Sequence, residues 1–173
     1  TFTVNTKSKK YPIFIGKGVL QNIGKIQKKR LPNVKRILLV STKKIPPIYK
    51  LIIKKSFSKN LNFTILNIND GEKSKHINNT IKITDYLSKN NFTRDDLIIS
   101  LGGGVVGDLS GFVSSIFKRG IRFIQVPTSL LAQVDSSIGG KTGINNKYGK
   151  NLIGTFSQPD FVLIDLSTLT TLP

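Results

Sequence analysis

The chain has 173 residues, 38% hydrophobic and 21% charged, with a formal net charge of +18. That is one domain's length with a globular composition, so disordered and fibrous chains are excluded, and no run approaches the roughly 18 apolar residues of a membrane-spanning helix. Cysteine is absent and His76 is the only histidine, which excludes a disulfide framework, a thiolate zinc site, a cysteine nucleophile and a His-rich metal centre, and makes a reducing, cytoplasmic setting the expectation.

The charge is unevenly placed. Residues 1–69 hold 16 Lys and Arg and no Asp or Glu, whereas residues 70–173 hold 11 basic and 9 acidic residues. With 22 Lys to 5 Arg among many Ile and Asn, the favoured reading is a compositional bias in a solvated surface. The alternative is a polyanion-binding face, since clustered cations gain affinity by releasing counterions from phosphates.

In chain order, residues 2–6 and 11–15 predict an opening β-hairpin around a Lys-rich turn. Val19, Leu20, Ile23 and Ile26 then take helical spacing, ending before Pro32, and Arg36–Ser41 is an apolar run of the kind buried in parallel sheets. Ile48, Leu51, Ile52 and Lys55 mark a helix that can start at Pro46-Pro47, and Phe63–Ile68 is the next strand. After the Asp70-Gly71-Glu72 turn, Ile77 to about Asn90 reads as helix and Asp96–Leu101 as a strand. That strand runs into Gly102-Gly103-Gly104-Val105-Val106-Gly107-Asp108, a helix to about Phe117, and a strand at Arg122–Val126. Ser129–Val134 looks helical, Ser136–Gly154 reads as a long functional loop, and Phe161–Ile164 is a last strand. The alternation predicts an α/β, Rossmann-like, mainly parallel sheet with helices on both faces, one domain over 1–173. The sequence lacks Met and stops at Leu172-Pro173 where an element is expected to follow, so it reads as an excerpt or a processed chain.

Gly102-x-Gly104-x-x-Gly107 fits the dinucleotide fingerprint, following a strand and opening a helix whose N-terminus favours a pyrophosphate. A tight turn without a ligand is the plainer alternative, because the motif sits on about the fourth central strand and no acidic residue lies twenty positions on. Asp108 can bond ribose or substrate hydroxyls, or cap the helix. Gly139-Gly140-Lys141-Thr142 is not a P-loop, since Asp135 stands where a glycine is required. It is a glycine-rich turn presenting Lys141, with Lys147 and Lys150 near, and such ammonium groups suit a phosphorylated or carboxylated small molecule. His76, among Lys73, Lys75 and Asn78, reads as a solvated surface residue.

Four motifs in order then carry a resemblance: the glycine loop through Asp108, Arg119-Gly-Ile-Arg122-Phe-Ile-Gln-Val-Pro127-Thr128, Asp135-Ser-Ser-Ile-Gly-Gly-Lys141-Thr, and Gly149-Lys150-Asn151. Together they closely resemble the 3-dehydroquinate synthase family, strongly from Asp70 onward and only generally before it. The resemblance implies the N-terminal, NAD-binding part of a carbon–oxygen lyase. Its reaction would convert 3-deoxy-arabino-heptulosonate 7-phosphate to 3-dehydroquinate and phosphate, in the shikimate route to aromatic amino acids, with NAD reduced and reoxidised in one turnover.

By the same resemblance, NAD contacts fall on Asp70, Gly71, Glu72, Lys73, Ser74 and Lys75, on Gly104, Val105, Val106, Gly107 and Asp108, on Thr128 and Ser129, on Lys141 and Lys150, and on Thr168, Leu169, Thr170 and Thr171. Asp135, Lys141 and Asn151 match substrate-contacting positions, and Arg119 resembles an arginine reaching a neighbouring subunit's substrate. The family's divalent metal, zinc or cobalt, is held by a helical C-terminal domain, so no metal ligand is expected in this chain and the chain alone is expected to be inactive. A phosphorylated sugar acid is the expected small-molecule partner and a homodimer the expected full-length state. Neither nucleic acid nor membrane is an expected partner. The other readings are a non-catalytic relative with a polyanion-binding face and a related sugar-phosphate cyclase.

Overall fold

The computed structural model describes residues 1–172. Nine strands occur among them: β1 (Phe2–Asn5), β2 (Lys10–Gly16), β3 (Arg36–Thr42), β4 (Asn62–Ile68), β5 (Leu97–Gly102), β6 (Arg122–Pro127), β7 (Lys141–Asn146), β8 (Gly149–Phe156) and β9 (Phe161–Asp165). Seven form one sheet in the order β1-β2-β9-β6-β5-β3-β4, and β7 and β8 form a separate ribbon. Every neighbouring pair in the large sheet is parallel except the opening β1–β2 hairpin.

Four α-helices cover the two faces: α1 (Ile23–Arg30), α2 (Pro47–Ser56), α3 (Ile77–Lys89) and α4 (Gly104–Ile116). The buried run Ile37-Leu38-Leu39-Val40 of β3 explains why both faces need cover. Alternate side chains point to opposite sides, so Ile37 and Leu39 pack with Ile23, Tyr49 and Ile53 of α1 and α2. Leu38 and Val40 pack with Ile83 and Leu87 of α3 and Leu109 and Val113 of α4. Each such side chain contributes about 1.5–3 kcal/mol on burial. α1 and α2 cross at Gly24, where a Cβ would lie 2.0 Å from Ser56 O, so only glycine fits.

Buried acids fasten the loops to the sheet. Asp96 accepts from Thr93 N, Arg36 N and Lys35 N at 2.8, 2.8 and 3.2 Å. Burial alone would raise its carboxyl, but these donors prevail and hold it below the usual aspartate value. Asp165, also buried, accepts from Gly18 N, Leu20 N and Ser167 N at 2.9, 3.0 and 2.9 Å.

Three expectations change in detail. Val19–Asn22 is a 3-10 turn, with α1 beginning only at Ile23. Residues Leu130 and Leu131 make a brief helical turn that widens to a π-type turn over Ala132–Ser136, in place of a regular helix over Ser129–Val134. Ser136–Gly154 is not a loop, because most of it forms the β7–β8 hairpin. The last strand, β9, lies inside the sheet between β2 and β6. Among the described residues no helix is long and apolar enough to cross a membrane.

Candidate functional site

β3 and β4 wind one way from the middle of the sheet, and β5, β6 and β9 wind the other. The order of the parallel strands therefore reverses between β3 and β5, and a crevice opens outside their carboxyl ends where doubly wound sheets take ligands. A cleft of about 290 Å³ lies there. Five segments distant in sequence meet in it: Thr42, Lys44, Ile45 and Pro46 at the end of β3, Asp70 and Gly71 after β4, Gly104–Val106 after β5, Thr128 and Ser129 after β6, and Thr168 and Thr171 after β9.

The glycine loop lets two serine side chains approach its backbone closely. A Cβ on Gly103 would meet Ser129 Oγ at 3.3 Å and one on Gly104 would meet Ser136 Oγ at 3.1 Å. The Ser136 hydroxyl is buried and has no partner among the described residues, so an orphaned donor sits against the loop at the start of α4. Gly103 O already takes the Val106 and Gly107 amides, which leaves the Gly104 and Val105 N–H groups at the start of the helix without an intrahelical acceptor, a donor set of the kind that cradles an anion. Ser136 was not singled out from the sequence, since nothing in its spacing shows that the wide turn brings it back to Gly104.

A second cleft of about 540 Å³ adjoins it, and Asp108, Asp135, Lys141 and Asn151 line it together. Asp135 stands on the π-type turn, a feature frequent at functional sites. Lys141 opens β7 and Asn151 sits on β8 in a left-handed conformation, φ +58. The hairpin presents them because Gly143 and Gly154 face each other. A Cβ on either would strike the opposite backbone, at 2.7 Å from Ile153 O or 2.3 Å from Thr142 O. Thr142 in turn packs against Gly111, and Thr155 Oγ1 bonds Ser115 Oγ at 2.8 Å, which seats the hairpin on α4.

Asp108 lines the second cleft, four positions along α4 from the Gly104 that lines the first. It is the fifth residue of α4, with Gly103 at the N-cap, so it does not cap the helix. Its carboxylate accepts a bond from the buried ammonium of Lys75. Burial pushes the Asp108 carboxyl above the usual aspartate value against the pull of Lys75, and the charges of Glu72 and Asp135 add to the rise.

The other sequence-singled residues divide plainly. Gly107 packs α4 on β6, since a Cβ there would reach Gln125 Nε2 at 2.3 Å. Thr168 is buried and its hydroxyl is consumed, donating to Asp165 O at 2.8 Å and accepting from Gln133 Nε2 at 3.1 Å. Thr171 is held in the wall by Tyr49, whose hydroxyl lies 3.2 Å from its Oγ1. Ser74 is buried, Lys73 and Lys150 are exposed, and neither Leu169 nor Thr170 lines either cleft. Arg119 follows α4 at φ +62, at the opposite end of that helix from Asp108. His76 is exposed and caps α3 through a long 3.4 Å contact with Asn78 N. No group of three or more His, Cys, Asp or Glu poised to hold a metal occurs among the described residues.

The solved structures place this architecture. 2-deoxy-scyllo-inosose synthase, complexed with carbaglucose-6-phosphate, NAD+ and Co2+, superposes with a TM-score of 0.89 at 25% identity, over 98% of this chain and 46% of that one. A probable glycerol dehydrogenase from Sinorhizobium meliloti 1021 shares the fold alone, with a TM-score of 0.73 at 16% identity, over 94% of this chain and 41% of that one. The class is thus a Rossmann-like, doubly wound α/β domain with its crevice at the switch point. Within that class, the model described as 3-dehydroquinate synthase N-terminal matches residues 65–173, and the 3-dehydroquinate synthase of Pelagibacter ubique (strain HTCC1062) is 47% identical over 170 residues. The chain belongs to the 3-dehydroquinate synthase family. That alignment takes in 98% of the chain and 46% of the relative, so the chain spans about half the length of the curated relatives it matches.

Proposed function

We propose that this chain is the NAD-binding, substrate-orienting part of a 3-dehydroquinate synthase, a carbon–oxygen lyase acting on 3-deoxy-arabino-heptulosonate 7-phosphate. The observation that carries the reading is the convergence of Asp70, Gly104, Ser129 and Thr171 on one cleft that meets, where Gly104 faces Ser136, the pocket of Asp108, Asp135, Lys141 and Asn151. A homodimer and a cytoplasmic setting belong to the same reading and rest on the family. So does the role of Arg119, whose distance along α4 from Asp108 fits a contact with a neighbouring subunit.

NAD, when bound, supplies a hydride acceptor that can return the hydride later. The chain's own residues bind, orient and manage protons. The Gly104 and Val105 amides and the Ser129 and Ser136 hydroxyls would hold the dinucleotide's pyrophosphate. Lys141 would neutralise the sugar's phosphate or carboxylate as a mobile point charge. The Asp135 carboxylate and the Asn151 amide would fix ring hydroxyls by accepting and donating hydrogen bonds. Asp108, with its raised carboxyl paired to Lys75, can accept a bond from a hydroxyl in the second cleft. The described residues do not offer the donor set of a divalent metal, so no step here is assigned to one.

Calorimetric titration of NAD-saturated protein with the heptulosonate phosphate tests the substrate half of this reading. Saturable heat is expected for the native chain, with affinity reduced at least about tenfold, 1.4 kcal/mol, by Lys141→Met. No saturable heat, or equal affinity for the two proteins, would overturn it.

A further inference from the structure

The β7–β8 ladder is interrupted by a bulge in β8. Pairing runs from Ile144↔Ile153 to Asn146↔Gly149, so three residues of β8, Lys150, Asn151 and Leu152, stand opposite Asn145 alone, which is left out of the ladder. Freed from β8, the Asn145 N–H donates to Lys75 O at 2.8 Å, in an isolated parallel bridge with His76. Its side chain reaches two ways: Nδ2 donates to Glu72 Oε1 at 2.7 Å, and Oδ1 accepts from the Asn151 N–H at 2.9 Å. Chemistry fixes that orientation of the amide, because a carboxylate oxygen only accepts and a backbone N–H only donates.

Each contact touches one side of the site. Glu72 and Lys75 belong to the turn that follows the dinucleotide cleft's Asp70 and Gly71, and Lys75 holds Asp108. Asn151 belongs to the sugar-phosphate pocket and stands at φ +58, a left-handed conformation that asparagine visits more readily than other non-glycine residues. The bond from its N–H to Asn145 Oδ1 holds it there. A residue left out of the ladder with three bonds, two to one segment and one to the other, is a joint between the clefts.

We propose that Asn145 is a positioning residue which holds Asn151 in place and couples it to the Glu72–Lys75 turn, so that NAD binding alters the presentation of Asn151 to substrate. The inference rests on the function proposed above. Its test is the amide spectrum of the 15N-labelled chain titrated with NAD, with the β5 amides as the check that the core is intact. In the native chain, the amides of Gly104–Asp108 and that of Asn151 should all move. In Asn145→Ala the loop amides should still move and the Asn151 response should be lost.

Asn145→Asp keeps the acceptor for Asn151 N–H but sets a second carboxylate against Glu72, so it should preserve the starting Asn151 shift and lose the response to NAD. It also carries the test if the alanine variant fails to fold. An Asn151 response that persists in both variants would overturn the coupling. Loop amides that stay still in the native chain would overturn the NAD reading itself, and the coupling with it.

Discussion

Asp108 shows how a single side chain can be held in tension. Burial raises its carboxyl, Lys75 opposes the rise, and Glu72 and Asp135 reinforce it. A carboxyl whose folded value is raised favours folding below the unfolded value, about 3.9, and that contribution is lost as pH climbs through the folded value. At neutral pH the ionised group is tolerated because Lys75 faces it. Lys75→Met should therefore cost about 2 kcal/mol at pH 7, below the 3–5 kcal/mol of a fully buried broken pair because Asp108 is partly exposed. The cost should shrink toward pH 4 as the carboxyl takes up a proton. Urea unfolding of both proteins at the two pH values reads this, and a loss that does not change with pH would show that Lys75 acts through packing and not through charge.

At the scale of elements, the sequence shows most clearly those parts whose side chains carry the packing. The runs Arg36–Ser41 and Asp96–Leu101 and the helical spacing after Ile77 point to strands and a helix because apolar burial builds them, and β3, β5 and α3 stand there. The glycine loop was legible for the same reason: its strand and helix bracket it. The β7–β8 hairpin was not, because glycine-to-glycine backbone approach and a chain of hydroxyls seat it in place of alternating apolar side chains. The π-type turn that carries Asp135 and returns Ser136 to Gly104 leaves no periodic mark either. The family resemblance thus supplied the candidate site residues, while Asn145 and Ser136 emerge only in three dimensions.

If backbone approach is what shapes the hairpin, Gly154→Val should force β7 and β8 apart, since its Cβ would fall 2.3 Å from Thr142 O. Affinity for the heptulosonate phosphate should then drop by about tenfold or more, with NAD affinity retained because the switch-point cleft does not involve Gly154. Parallel titrations with the two ligands separate these effects. A joint loss of both affinities would contradict the division into two clefts.

Across the whole molecule, two cores sandwich a sheet whose switch point faces the ligand clefts, while the first 69 residues carry 16 cations and no anion. Lys25, Lys28 and Lys29 of α1 and Lys54 and Lys55 of α2 are all exposed, so like charges repel across one helical face. Salt screens such charges, with a Debye length of about 10 Å at 0.1 M. The melting temperature should consequently rise between low and moderate sodium chloride. A flat or falling trend would show that the excess charge is already compensated within the fold.

The most direct test is calorimetric titration of this chain with NAD, beside Gly104→Val, which crowds Ser136, and Ser129→Ala, which removes a cradle hydroxyl without adding bulk. The account expects saturable binding by the native chain, weakened by Ser129→Ala and abolished by Gly104→Val, with all three proteins giving the same near-ultraviolet circular dichroism. Absence of heat at millimolar NAD, or binding indifferent to both substitutions, would contradict the claim that the switch-point cleft is a dinucleotide site.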